Sequence, residues 1–409
     1  MKRILLLKLP VAVILSLVLS LLLSCRSSTV TIAGLYVDSL EQADVKMMAY
    51  VDEGRLPCVA TLIIKDGITV HRNIYGYANI GEERRLEEDA IFRIYSMSKP
   101  ITAAALMILY DEGKFRLDDP VARYIPEFTE TKVWVDGREL AQQEPFTIRH
   151  LLTHTAGFCY GSDSSHVDSL YAQASSEGLL RTATLEEMIN ELSAIPLKNQ
   201  PGTKYEYSVS IDVAGYLAEV LSGMPFDEFL QTHLFDPLGM VDTGFEVPEK
   251  DQDRLAMIYT FDEDLGALSP MEDLTNRVIG EVTLFSGGGG LVSTMADYGR
   301  FGQMLLNGGE LDGTRVLQES TVSLIMSDQM TAVVEYADGF RYGLGGHVNM
   351  ATGEYGWAGM ASTNFIADPG NNMIILSFTQ YVPFMGIPYA AEYRQLVRNA
   401  LTETKAATL

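Results

Sequence analysis

An apolar run, Leu9 to Leu23, follows the basic residues Lys2 and Arg3 at the start of the chain. Beyond it the pattern becomes periodic. From Asp38 to Asp52, Leu40, Val45, Met48 and Val51 recur at helical spacing and predict a helix with that stripe inward. Cys58 to Ile64 and Thr69 to Ile74 are rich in apolar and β-branched residues and flank Lys65-Asp66-Gly67, a turn signal, so they predict a hairpin. Ser96 to Glu112 is apolar on nearly every side, through Ile101, Ala104, Ala105, Leu106, Ile108 and Leu109, and predicts a buried helix. Helical patterns dominate the middle of the chain: Thr147 to Thr153, Leu185 to Leu192 and Ile211 to Leu221, with one small hairpin over Trp134 to Leu140. Strand-like runs return at Arg341 to Asn349, Thr363 to Ala367 and Met373 to Gln380. They lie between a helix from Met295 to Leu306 and an amphipathic closing helix from Ala391 to Leu401.

Strands and a helix thus come first, helices next, strands and a helix last. This order predicts an α/β domain discontinuous in sequence, residues 38–117 and 280–409, around an all-helical insert, residues 118–279. The chain has 409 residues, enough for two intergrown cores. Its net charge of −24 repels phosphate backbones and argues against nucleic-acid partners. The opening 24 residues read as a secretory signal rather than a membrane span, because the apolar run is short and ends at Ser24-Cys25. Leu22-Leu23-Ser24-Cys25 resembles the bacterial lipoprotein cleavage box, in which the cysteine is acylated and becomes the new N-terminus. Residues 25–37 are then a tether, and the protein is expected in the cell envelope, held to a membrane by lipid on Cys25 and facing the periplasm or outer membrane in a Gram-negative cell. A plain signal peptide or an uncleaved anchor are the alternatives. Cys58 and Cys159 sit among apolar residues and read as buried thiols rather than a disulfide.

Candidate chemistry gathers at three places. Ser96 and Lys99 stand three apart at the start of the apolar helix, so hydroxyl and amine share one face. A serine becomes a useful nucleophile only with a base in reach, and burial disfavours the ammonium of a lysine. The same spacing also suits an N-cap serine followed by a solvated lysine. Tyr207 ends the turn and extended segment Pro201 to Ser210, where its hydroxyl can serve as a base or simply pack between domains. Tyr355-Gly356-Trp357-Ala358-Gly359-Met360 combines small residues with a strand pattern, so a backbone N–H here can face a ligand closely as an oxyanion donor on an edge strand. His154 lies in a helix-to-loop cap without a nucleophile elbow and reads as structural. The six histidines show no metal spacing, and Gly287 to Gly290 lacks the Gly-Lys-Ser/Thr of a phosphate loop.

In this order the three segments resemble the serine β-lactamase and penicillin-binding-protein superfamily, and within it the class C-like branch of esterases and peptidases. The likeness extends over Leu151 to Gly157, Pro201-Gly202, Tyr207-Ser208, Ser286 to Gly290 and Ser293 to Phe301, and covers roughly residues 40 to 400. It implies an antiparallel sheet flanked by helices with an inserted helical domain, and no cofactor. It also implies Ser96 as the acylated nucleophile, Lys99 as its proton-shuttling partner and Tyr207 as the assisting base, with the Ser96 and Met360 N–H groups as the oxyanion hole. Trp357-Ala358-Gly359 takes the place of a Lys-Thr-Gly triplet, and Val209 the place of an asparagine. The residues replaced would bind the carboxylate and the amide of a β-lactam, so the expectation is a carboxylesterase for small uncharged esters. The alternatives are a β-lactamase or D-alanyl-D-alanine carboxypeptidase-like enzyme using a substitute cation such as Arg341, and a non-catalytic ligand-binding scaffold.

Overall fold

The protein is described here by a computed structural model covering residues 30–177 and 184–402. The segment expected to be a secretory signal, and Cys25, lie outside these residues. Two helices of the outer layer, α1 (Val37–Asp52) and α5 (Tyr389–Ala400), pack on one face of an eight-stranded antiparallel sheet. The strands are β1 (Cys58–Lys65), β2 (Ile68–Asn79), β3 (Arg84–Arg85), β4 (Phe340–Tyr342), β5 (His347–Asn349), β6 (Tyr355–Ala358), β7 (Asn364–Asp368) and β8 (Met373–Phe378). Their spatial order is β4-β5-β6-β7-β8-β1-β2-β3, so the chain's early and late strands meet where β8 pairs with β1.

Period-two side-chain alternation assigns the faces. Met373 and Ile375 of β8, with Val59 and Ile63 of β1, meet the outer helices; Ile374, Leu376 and Phe378, with Ala60 and Leu62, meet the central core. On that second face lies α4 (Met295–Leu306), and beneath it the central helix α2 (Ser98–Asp111), which packs along α3 (Ser210–Ser222). Every residue of α2 from Ser98 to Leu109 is buried. The hairpin joining β1 to β2 turns through Asp66 and Gly67, both at positive φ, as the turn signal predicts.

The structure departs from the expected pattern in three places. α1 has the expected span, but its buried stripe is Leu40, Ala43, Met47 and Tyr50, and Val45 is exposed. The helix buries the stripe that repeats every three to four residues, and Tyr50 supplies more apolar surface than Val51. The insert is not all helical: hairpins Lys132–Val135/Arg138–Ala141 and Tyr259–Asp262/Ala267–Pro270 lie within it. The second has one mostly exposed strand, and its residues show no apolar alternation. Arg341 to Asn349 is two strands, β4 and β5, separated by a bend at Gly343 to Gly346. Cys58 and Cys159 are free, buried thiols. Among the described residues no helix is long and apolar enough to cross a membrane.

α4 lies flush on the sheet because Gly299 and Gly302 face it. A Cβ at Gly302 would come within 2.9 Å of Phe365 and Ile374 side-chain atoms. Gly302→Val is expected to lower the free energy of unfolding by about 1–3 kcal/mol through overpacking, measured by urea denaturation.

Candidate active site

Ser96 lies in a 3₁₀ turn, Tyr95–Met97, immediately before α2, so the α-helix itself starts two residues later than its apolar pattern suggests. Tyr95 causes the offset. Its φ of 43° is a left-handed conformation that non-glycine residues adopt rarely, and the chain enters the helix through this kink. Pro100 follows in the first turn of α2, where a missing N–H costs no helical bond.

The kink places Ser96 Oγ between two partners. The Tyr207 hydroxyl donates to it at 2.6 Å, and Lys99 Nζ donates to it at 3.2 Å. Lys99 has no exposed surface, and its remaining contacts are the Gly288 carbonyl at 2.7 Å and the Tyr160 hydroxyl oxygen at 3.2 Å. Its amine also lies 4.6 Å from the centroid of the Tyr207 ring. Ser96, Lys99 and Tyr207, separated by up to 111 residues in sequence, are therefore one hydrogen-bonded cluster.

The loop carrying the Gly288 carbonyl is fixed from below. Asp212 of α3, fully buried, accepts from Ser286 Oγ at 2.5 Å and from the Gly288 N–H at 3.0 Å. Burial pushes its carboxyl up, while nearby Lys99 pulls it down. Thr102, one turn beyond Lys99, donates to the Gly287 carbonyl at 2.7 Å. Gly288 tolerates no side chain, since a Cβ would lie 2.4 Å from Asp212 Oδ2. Tyr160 and Asp212 were not anticipated as site residues. Asp212 had a signal, an acidic residue in the first turn of a mostly apolar helix; Tyr160, in a loop, had none.

β6 supplies the opposite wall. It has neighbours on both sides and is not an edge strand as expected, but its pairing with β5 ends at Gly356 while pairing with β7 continues to Ala358. Trp357, Ala358, Gly359 and Met360 consequently line a cavity of about 1260 Å³ together with Ser96, Tyr160 and Tyr207. A Cβ at Gly359 would lie 2.3 Å from the Ile94 carbonyl oxygen, so this glycine lets the end of β6 close against the segment leading to Ser96. The remaining wall joins apolar residues, Phe245, Val278, Val282, Leu284, Phe384 and Met385, to the charged Arg93, Asp273, Arg277 and Glu281.

Two expected residues fall elsewhere. Val209 is 1% exposed, at the N-cap of α3 with its side chain in the core, and does not line the cavity. Arg341 is held by Asp328 at 2.9 Å and by the Val334 and Thr331 carbonyls, away from the cavity. His154, read from the sequence as structural, sits close to the site. Its ring is fully buried, 4.9 Å from that of Tyr207, and its Nδ1 meets Ser208 Oγ at 3.3 Å. Burial, then the charge of Lys99, holds its imidazole well below the usual range, so it stays neutral.

A serine, lysine and tyrosine hydrogen-bonded beneath an antiparallel sheet define a serine hydrolase of the β-lactamase/transpeptidase type. The chain belongs to the Beta-lactamase family, which matches residues 37–398. It is 32% identical to Protein Rv1367c of Mycobacterium tuberculosis over 371 residues, covering 83% of this chain and 90% of that one. It is 35% identical to Esterase EstB of Burkholderia gladioli over 210 residues, about half of each chain (51%). Among solved structures, EstCE1, a hydrolase with promiscuous acyltransferase activity, superposes with a TM-score of 0.77 at 27% identity, covering 88% of this chain and 98% of that one.

Burial pushes His150 and His347 down to about 4, against an unfolded value of roughly 6.5. Below that value the unfolded chain takes up protons that the folded chain refuses. Their contribution to stability is therefore complete above about pH 7 and is lost as the pH falls towards 4. The buried carboxyls of Asp212 and Asp297, pushed up, act in the opposite sense at acid pH. The melting temperature is expected to fall between about pH 7.5 and about pH 5, and to fall less in His347→Asn, measured by calorimetry.

Proposed function

We propose that this serine hydrolase is a carboxylesterase acting through an acyl intermediate on Ser96. The observation that carries the reading is the Ser96 oxygen held at hydrogen-bond distance by both Tyr207 and Lys99. Ser96 Oγ attacks the ester carbonyl carbon while its proton passes to the Tyr207–Lys99 pair. The N–H groups of Ser96 and Met360 receive the developing oxyanion. Collapse of the tetrahedral species breaks the bond to the alkoxy oxygen, which leaves as the alcohol with the proton returned by the same pair. Water then attacks the acyl-Ser96 ester by the same route and releases the acid. An alcohol entering in place of water makes the site an acyltransferase.

The wall at Trp357 supports an ester over a β-lactam or a peptide carboxylate. Its indole packs against Tyr207, Tyr342 and His347 with ring centroids 5.7, 5.1 and 5.5 Å away, and the cations that line the cavity, Arg93 and Arg277, come from other segments than this strand. Arg341, the candidate substitute, is committed to Asp328. The group meeting Trp357 is therefore uncharged.

Two experiments test these readings. Turnover of a short-chain p-nitrophenyl ester is expected to vanish in Ser96→Ala and to fall about 10²–10⁴-fold in kcat in Tyr207→Phe and Lys99→Met, with a chromogenic cephalosporin cleaved only weakly by the native enzyme. Cephalosporin turnover faster than ester turnover would refute the ester reading. For location, we propose export and lipid anchoring through Cys25, on the strength of Leu22-Leu23-Ser24-Cys25. In a bacterial host the chain is expected to incorporate an alkyne-tagged fatty acid and to partition with membranes, and Cys25→Ser is expected to lose both properties.

A further inference from the structure

The cavity holds a second polar feature that the acyl-transfer chemistry does not use. Arg93, three residues before Ser96, lines the cavity and is 6% exposed. Its guanidinium stacks 4.4 Å from the centroid of the Tyr95 ring, and one of its terminal nitrogens donates to the Leu274 carbonyl at 2.5 Å. Its Nε–H is buried without a protein partner, and so is the Tyr95 hydroxyl, on the same cavity wall. Arg277, an exposed residue, also lines the cavity. Among the described residues neither arginine forms an ion pair, although Asp273 and Glu281 also line the cavity.

This is an expensive arrangement to leave unfilled. A buried guanidinium without a carboxylate is strongly disfavoured, and a buried donor without an acceptor adds the desolvation cost of that group. The charge nearby does not relieve it: beside Arg93 stand the neutral phenol of Tyr95 and a second cation, Arg277. The rest of the molecule holds the arrangement rigid. Gln380, fully buried, accepts from the Arg93 backbone N–H at 3.1 Å and donates to its carbonyl at 3.2 Å. Tyr95 is locked in its left-handed conformation next to the serine. The wall thus brings two guanidinium groups without ion-pair partners to one cavity, Arg93 with an unmatched donor buried behind it, inside a chain whose net charge is −24.

We infer that Arg93, Tyr95 and Arg277 form a subsite for a carboxylate carried by the ester substrate. A carboxylate in the cavity offers two oxygens to the guanidinium groups that line it and neutralises their charge. The inference rests on the esterase reading of Ser96 and refines it. The substrate is uncharged where it meets Trp357 and anionic where it meets Arg93, which replaces the expectation of a wholly uncharged ester.

The test compares esters matched in shape and differing in charge. On the alcohol side the pair is 4-acetoxybenzoate and methyl 4-acetoxybenzoate; on the acyl side it is monoethyl and diethyl adipate. In the native enzyme, the ratio of kcat/KM for the anionic member to that for the neutral member is expected to exceed one in at least one pair. That ratio is expected to fall about tenfold or more in Arg93→Met and Arg277→Met, through KM, and by less in Tyr95→Phe. Loss of a purely structural tether would slow both members alike and leave the ratio unchanged. A neutral preference in both pairs, or a ratio unmoved by Arg277→Met and Tyr95→Phe, overturns the subsite. Calorimetric binding of 4-hydroxybenzoate and its methyl ester to Ser96→Ala reads the subsite without turnover. Tighter binding of the acid, weakened by Arg277→Met, supports the subsite even where no ester is cleaved, an outcome that would sink only the esterase reading. Equal binding of acid and methyl ester overturns it.

Discussion

The structure around the site depends on how a lysine amine with no exposed surface is satisfied. Lys99 cannot reach water, so its N–H groups must find acceptors in the protein. One is the Gly288 carbonyl, and that carbonyl must be delivered to the side of α2 by a backbone segment with no side chain in the way. Gly287 and Gly288 meet that demand: a Cβ at either would come within 3 Å of Thr102, Ile211 or Asp212 atoms. Asp212 then anchors the segment by its N–H, and α3 must pack close along α2 to bring Asp212 there. The apolar surface of both helices follows from this, because only helices buried on nearly every side can hold a lysine and an aspartate together away from solvent.

The same burial organises the hydrogen-bonded cluster at Ser96. Tyr207 comes from the chain just before α3, so the packing that brings Asp212 to the glycine loop also brings the phenol to Ser96. Its ring is confined by His154, Tyr160 and Trp357 at centroid distances of 4.9, 5.3 and 5.7 Å. A phenol restrained on three sides keeps its hydroxyl on Ser96 with little side-chain entropy left to lose. His154 contributes as a neutral ring and not as a proton carrier, which fits its complete burial next to a lysine.

Much of this was legible in the sequence, and the limits have physical causes. The spans of α1, α4 and the β1–β2 hairpin, and the body of α2, follow from periodicity and turn residues, because those signals are local. The buried face of α1 was misjudged because which stripe is buried is decided by β1 and β8, strands far apart in sequence. Ser96, Lys99 and Tyr207 were readable because their chemistry demands particular residue types at a particular order. Val209 was misplaced because position in a motif does not say whether a side chain faces the cavity or the core. Arg93 and Tyr95 carried no sequence signal at all. An arginine beside an apolar helix is ordinary, and only the three-dimensional count of donors against acceptors marks it as unmatched.

That count also bears on why the cavity can be both acidic in surroundings and selective for an acid. In water, a chain of charge −24 would repel a carboxylate at long range. At physiological ionic strength the repulsion decays over about 8 Å, while a guanidinium in a low-dielectric wall acts at contact without competition from solvent. The long-range field then sets how often an anionic ester arrives, and the contact term sets how long it stays. An enzyme arranged this way would bind its anionic substrate more tightly as salt rises through the low range, where screening removes the repulsion before it weakens the buried contact. A surface patch of lysines would show the opposite dependence. The sign of the salt effect on KM for the anionic esters therefore separates a buried arginine subsite from general electrostatic attraction.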